Sequence, residues 1–278
     1  MQIEKNIVLE RAHNKPIVLD VFYQTSPQKL PLVLFCHGYK GFKDWGAWPL
    51  VAKAFAEAGF FFVKFNFSHN GGTVEEPIDF PDLKAFGENN YRKELEDIKD
   101  VLDFCEENYT ATANLSQIHL IGHSRGGGIV TLYANEDTRI TKLISWAGVS
   151  DFEMRFPAGD AFEEWKRTNV FYTVNGRTKQ NMPHFFQFWE DYAKDPARFD
   201  IEKACKEITI PHLIIHGTDD ASVPLWEAES LHEWNSSSNL LLIKGANHVF
   251  GAKHPWEKDH MPSHLKEIVT KSIDFLNA

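Results

Sequence analysis

The sequence predicts an α/β protein built on a mostly parallel central sheet flanked by helices. Short apolar runs alternate along the chain with longer stretches of helical period. Most of the runs are nearly continuous rather than alternating in polarity, as expected of strands whose two faces are both covered. Residue types that carry chemistry stand just beyond the ends of these runs, the edge where open α/β sheets bind ligands.

Taken in order, the run Ile-Val-Leu-Asp-Val-Phe-Tyr at 17–23 predicts a first strand and 31–36 a second. An apolar stripe predicts a helix over 48–58, and the phenylalanine-rich run 60–67 a strand. Over 91–108, Leu95, Ile98, Val101, Leu102 and Cys105 fall on one helical face. Strand 117–122, helix 126–135 and strand 141–147 follow, and after a break come strand 210–216, helix 225–235, strand 239–244 and helix 263–276.

The break, residues 151–200, is richer in aromatics than the rest: 12 of its 50 residues, against 37 of 278 for the whole chain. Within it, Asn175-Gly176 lies between Val170-Phe-Tyr-Thr-Val and Arg177-Thr-Lys-Gln, which predicts a hairpin with a two-residue turn of positive φ. A hairpin cannot serve as the right-handed crossover of a parallel sheet, so this segment is expected outside the sheet, as a small inserted cap on a single domain spanning 1–278. A helix-like stretch, 185–194, completes it, and Phe152, Phe156, Trp165, Phe171, Tyr172, Phe185, Phe186 and Trp189 are expected either to wall a ligand pocket or to pack the segment onto the domain.

Composition limits the function. With 29 basic and 39 acidic side chains the formal net charge is −10, which repels a polyanion and argues against nucleic acid as a partner. No apolar run approaches the roughly 20 residues of a membrane span, and the first residues lack a signal-peptide pattern, so a cytoplasmic protein is expected. The three cysteines, Cys36, Cys105 and Cys205, have no CxxC spacing and read as reduced core residues. No feature argues for or against a homodimer.

Gly122-His-Ser124-Arg-Gly126 follows an apolar run and opens a helical pattern, the context of a nucleophile elbow. Ser124 is therefore the candidate nucleophile. An activated serine needs a base, and the base an orienting carboxylate. Beyond the run 210–215 stands His216-Gly-Thr-Asp219-Asp220-Ala-Ser-Val223-Pro224, and beyond 240–243 stands Lys244-Gly-Ala-Asn-His248-Val-Phe250. His248 is the candidate base. Asp219 and Asp220 share one loop and the residues alone do not choose between them; Asp151, after another strand, is the runner-up. Cys36-His37-Gly38-Tyr39-Lys40-Gly41 ends an earlier strand, where a loop would supply an oxyanion-hole donor, the N–H of Tyr39, beside the N–H of Arg125.

Other motifs carry less. His254, His260 and His264 include an i, i+4 pair, but no recognised metal set is completed. Gly71-Gly72 and Gly126-Gly127-Gly128 match neither a P-loop nor a dinucleotide fingerprint. No cofactor and no metal are expected. Asn66-Phe-Ser-His69-Asn70-Gly71-Gly72 reads as a pocket wall or a structural turn.

Together, His37-Gly38-Tyr39, Gly122-His-Ser-Arg-Gly126, His216-Gly-x-x-Asp220-x-x-Val223-Pro224 and Gly245-Ala-x-His248-x-Phe250 resemble the α/β-hydrolase superfamily over nearly the whole chain, in particular its small bacterial esterase and dienelactone-hydrolase-like members. The resemblance implies Ser124, Asp220 and His248 as catalytic residues, acting on a small-molecule ester through an acyl-enzyme. The cap also resembles that of cinnamoyl and feruloyl esterases, which implies aryl or hydroxycinnamoyl esters. Arg125 departs from that group, which often carries glutamine there. Thioester or amide cleavage and acyl transfer would use the same residues; a non-catalytic small-molecule receptor and a lyase using the serine and histidine are the readings from other classes.

Overall fold

The computed structural model describes residues 1–12 and 14–278. Its strands, in chain order, are β1 (Gln2–Leu9), β2 (Ile17–Tyr23), β3 (Leu30–Cys36), β4 (Phe61–Phe65), β5 (Ala113–His123), β6 (Ile140–Trp146), β7 (Val170–Val174), β8 (Asn181–Phe185), β9 (His212–Gly217) and β10 (Asn239–Ile243). The helices are α1 (Trp48–Glu57), α2 (Leu83–Gly87), α3 (Tyr91–Asn108), α4 (Arg125–Glu136), α5 (Asp160–Thr168), α6 (Gln187–Lys194), α7 (Ile201–Glu207), α8 (Leu225–Trp234) and α9 (Ser263–Asn277). Eight strands form one sheet in the order β1-β2-β4-β3-β5-β6-β9-β10, parallel from β4 to β10 with β1 and β2 antiparallel at one edge.

Each buried strand divides its residues between two cores. On β3, Leu32, Leu34 and Cys36 join α3, α4, α7 and α8 on one face, while Val33 and Phe35 join α1 and α9 on the other. That two-sided burial is why the runs read as continuously apolar. From β3 the chain turns first toward β4 and then back past β3 to β5. The order reverses there, and the loops after β3 and β5 therefore leave the sheet side by side.

A charged cluster closes the β2–β4 end. Asp20 and Lys64 are register partners across those strands, and Lys64 Nζ donates to Asp20 Oδ2 and Asp44 Oδ1, both at 2.5 Å. Lys43 Nζ meets the other oxygens, Asp20 Oδ1 at 2.8 Å and Asp44 Oδ2 at 2.5 Å. Two cations and two anions, three of them with fully buried side chains, thus neutralise one another and tie the loop after β3 to the sheet.

Several elements differ from the sequence expectation. The hairpin β7–β8 forms a sheet of its own, but its loop runs from Asn175 to Gln180, and neither Asn175 nor Gly176 has a positive φ. Asn175 Oδ1 instead accepts the N–H of Arg177 at 2.9 Å and of Thr178 at 3.1 Å, and the left-handed residue of the loop is Lys179, at φ 61°. The strand expected over 60–67 closes at Phe65, and Asn66, Phe67, Ser68, Asn70 and Gly72, but not His69, line a separate cavity of about 280 Å³ beside Lys15 and Glu75. β1, α2, α5 and α7 were not expected. Among the described residues no helix is long and apolar enough to cross a membrane.

The charged cluster sets the first expectation. Lys64→Met leaves the buried Asp20 and the partly buried Asp44 with one cation and should cost about 3 to 5 kcal/mol in urea unfolding at neutral pH. Burial raises the Asp44 carboxyl, but Lys64 and Lys43 outweigh it and lower its pKa from 3.8 to about 2. Its contribution is therefore complete above about pH 4 and is lost as pH falls through about 2.

Candidate active site

β5 ends at His123 and α4 begins at Arg125, leaving Ser124 alone to turn the chain. It does so at φ 56° and ψ −121°, a conformation that costs a residue with a Cβ about 1 to 3 kcal/mol. The close approach of strand and helix imposes it. A Cβ on Gly122 would lie 2.2 Å from the Gly126 carbonyl oxygen, and one on Gly126 2.5 Å from that of Cys36. Ser124 N–H donates to the Trp146 carbonyl at 2.9 Å, which pins the turn to β6.

His248 and Asp220 arrive on the loops after β10 and β9, whose ends are in register at Ile243 and Gly217. Ser124 Oγ lies 3.0 Å from His248 Nε2, and His248 Nδ1 lies 2.7 Å from Asp220 Oδ2. Asp220 Oδ1 accepts the N–H groups of Ser222 at 2.8 Å and Val223 at 2.9 Å, so both carboxylate oxygens are engaged. Burial raises the Asp220 carboxyl, but His248 and the two N–H groups bring it below its ordinary value. His123 Nε2 stands 2.8 Å from the His248 carbonyl. Burial pushes the His123 imidazole down to about 3, so at neutral pH it is an uncharged N–H donor to that carbonyl.

The other acids lie elsewhere. Asp219 Oδ1 accepts from Thr218 Oγ1 at 2.9 Å, and Asp151 Oδ1 accepts the N–H of Met154 at 3.0 Å. No group of three metal-ligating side chains occurs among the described residues, and His260 pairs with its neighbour Asp259 on the surface.

The loop after β3 passes so close that a Cβ on Gly38 would lie 2.9 Å from Ser124 Cβ. Gly41 N–H donates to the Gly38 carbonyl at 3.0 Å, which closes the loop on itself. No protein acceptor is paired with the backbone N–H of Tyr39 or Arg125 among the described residues. The Tyr39 side chain is fixed from the insert between β6 and β9: its OH lies 2.7 Å from both Thr173 Oγ1 and His184 Nε2.

Ser124 and His248 stand between two cavities. The larger, about 600 Å³, is walled by Tyr39, Tyr91, Arg125, Arg155, Phe152, Phe156, Phe171, His184 and Phe188. The smaller, about 120 Å³, lies toward Trp45, Trp48, His123 and Val249. Of the insert aromatics expected to bind a ligand, Phe152, Phe156 and Phe171 line the large cavity. The rest do not: Trp165 and Phe186 are buried in the core, Phe185 packs on Gly87, Trp189 packs on Phe162 and Phe156, and Tyr172 is exposed. Phe188 and Tyr91 were missed. Phe188 belonged to the same aromatic run as Phe185 and Phe186, whereas Tyr91 opens a helix whose apolar stripe, Leu95, Ile98, Val101, Leu102 and Cys105, is core.

A family model described as the alpha/beta hydrolase fold matches residues 31–168. Est1E from Butyrivibrio proteoclasticus with ferulic acid bound is similar in structure, with a TM-score of 0.74, 19% identity and 98% of each chain covered. So is a putative hydrolase from Agrobacterium vitis S4, with a TM-score of 0.74, 17% identity and 99% of each chain covered. A putative dienelactone hydrolase from Klebsiella pneumoniae has a TM-score of 0.62 at 14% identity, covering 99% of this chain and 98% of its own. Among curated proteins none matches the sequence.

The packing at the elbow carries its own test. Gly126→Ala drives a methyl group into the carbonyls of Cys36 and His37, 2.5 and 2.6 Å away. The expected cost is about 1 to 3 kcal/mol in urea unfolding.

Proposed function

We propose, on the premise that this chain is an α/β-hydrolase-fold protein, that it is a serine hydrolase cleaving carboxylic esters of small molecules. The observation carrying this reading is the hydrogen-bonded line from Ser124 through His248 to Asp220, starting at a serine held in a strained turn.

Ser124 Oγ attacks the ester carbonyl while His248 Nε2 takes its proton. The negative charge that develops on the carbonyl oxygen is stabilised by the N–H groups of Tyr39 and Arg125, a type of donor worth about 3 to 4 kcal/mol each in the transition state. Asp220 keeps the proton of the neutral imidazole on Nδ1 and stabilises the imidazolium. His248 then protonates the departing alcohol, and water cleaves the acyl-enzyme through the same base.

The two cavities support an unequal division of the substrate. The larger suits a bulky acyl part against Phe152, Phe156, Phe171 and Phe188, and the smaller a short alcohol. An aryl acyl group, as in the ferulic acid bound to Est1E, matches that lining. The insert acts in this reading as a cap whose aromatic wall selects the substrate. Thioesters and amides are attacked by the same groups, and an ester, thioester and amide panel ranks them.

Ser124→Ala should abolish acylation and lower turnover of a p-nitrophenyl ester by several orders of magnitude, leaving roughly 10³-fold to 10⁴-fold over water. Retention of a tenth of the activity would remove Ser124 as nucleophile. Asp220→Asn should lower kcat by about 10⁴, and the loss should exceed that in Asp219→Asn or Asp151→Asn compared under equal folding. For the cap, Phe156→Ala should change kcat/KM unequally for aryl-acyl and short alkyl-acyl esters, by about 1 to 3 kcal/mol, whereas exposed Tyr172→Ala should leave that ratio unchanged. Equal losses on all esters, tracking Tm, would reduce the cap to packing.

A further inference from the structure

Arg125 supplies a backbone N–H to the site, but its side chain enters the large cavity. The guanidinium carbon lies 4.8 Å from the Tyr91 ring centre, 5.0 Å from Phe188 and 5.6 Å from Tyr39. Among the described residues its one ionic neighbour is Glu94, whose Oε2 is 3.3 Å from Nε without forming a hydrogen bond, while Glu94 Oε1 accepts from Asn89. Among the described residues no guanidinium N–H of Arg125 donates to the protein, and Nε and Nη2 are shielded from solvent. A guanidinium has five such donors, and leaving them unpaired in a buried place is unfavourable. Arg155, on the same cavity, differs: it donates to both oxygens of Glu227 and to the Asp151 carbonyl.

We propose that the Arg125 side chain determines specificity by donating hydrogen bonds to an uncharged oxygen acceptor, a carbonyl, ether or hydroxyl oxygen, on the part of the ester held in the large cavity. The proposal deepens the serine-hydrolase reading and rests on it. Three rings within 6 Å crowd the guanidinium, and the donors of its planar fork that they shield from water, Nε and Nη2, remain for an acceptor in the cavity. The acceptor is uncharged because Glu94 already balances Arg125; a ligand carboxylate would bring a second anion into the same poorly solvated space. Glu94 is thus a positioning and charge-balancing residue.

The test measures kcat/KM of the full chain for methyl cinnamate and its 2-, 3- and 4-methoxy derivatives, and the binding of the corresponding cinnamamides by calorimetry. At least one methoxy isomer should be favoured over its parent by about tenfold or more in both measurements. In Arg125→Met the methoxy-to-parent ratio should fall to near one. Glu94→Gln should keep it and raise the relative turnover of methyl 4-carboxycinnamate. If Arg125→Met does not fold, Arg125→Lys, which keeps the charge but loses the fork, should lower the ratio by at least about threefold. Absence of a methoxy preference in the wild type, or its survival in the folded Arg125 variant, overturns the proposal. The amides report on Arg125 whether or not any ester is cleaved, whereas absence of turnover on every ester would sink the hydrolase reading.

Discussion

The packing of β5 against α4 is the constraint on which the rest of the site depends. Gly122 and Gly126 bring strand and helix so close that the one residue turning the chain, Ser124, must adopt a positive φ. The same contact seats Gly126 on the carbonyls of Cys36 and His37, so the loop after β3 is drawn to the serine. One steric requirement thereby fixes the hydroxyl, the Arg125 N–H that opens α4, and the neighbourhood of Tyr39. The strain is tolerable because it sits between two buried strands whose partners on either side, β3 and β6, leave the elbow nowhere to relax.

Electrostatics around that turn are set by burial. His37, His123 and His184 are each pushed down to between about 3 and 4, first of all by desolvation, so around Ser124 they are neutral hydrogen-bonding groups rather than cations. Asp220 faces the same penalty and overcomes it, because an imidazole and two backbone N–H groups converge on its oxygens. A carboxylate with that support persists where one without it would take up a proton. Asp219, one residue earlier, turns back to Thr218 and has no part in this convergence.

The parallel sheet and the residues at its carboxyl edge were legible because both rest on local rules: continuous apolar runs for doubly covered strands, and Gly-x-Ser-x-Gly between a strand and a helix. The missing pieces follow rules that are not local. β1 is an edge strand with a bulge near Asn6, half exposed, and without an apolar run to mark it. The Asn175 turn suggested positive φ, but a side-chain oxygen capping two N–H groups served a longer loop equally well. The insert aromatics divided between core and cavity through tertiary packing alone: Phe186 and Phe188 are two residues apart, yet Phe186 packs with Trp165 while Phe188 faces the cavity. Between Asp219 and Asp220 the residues alone did not choose and the family spacing pointed to Asp220; it is Asp220 that meets His248, which stands on another strand's loop.

Tyr39 joins the two halves of the site. Its backbone belongs to the loop against Ser124, and its hydroxyl is held at 2.7 Å by Thr173 of β7 and His184 of β8. His184 is in turn clamped between Phe171, stacked at 4.5 Å, and Trp165, which donates to its carbonyl at 2.8 Å. Lys40, next in sequence and at φ 55°, donates to the Val174 carbonyl at 3.0 Å. The hairpin therefore reaches the surroundings of Ser124 through two consecutive residues of one short loop as well as through the cavity wall. A shift of the insert would move the Tyr39 N–H relative to Ser124 together with the aromatic surface. A fold that keeps its sheet and exchanges its insert would for this reason shift the backbone at Tyr39 along with the aromatic wall, which makes the segment between β6 and β9 part of the site's mechanics rather than an ornament on it.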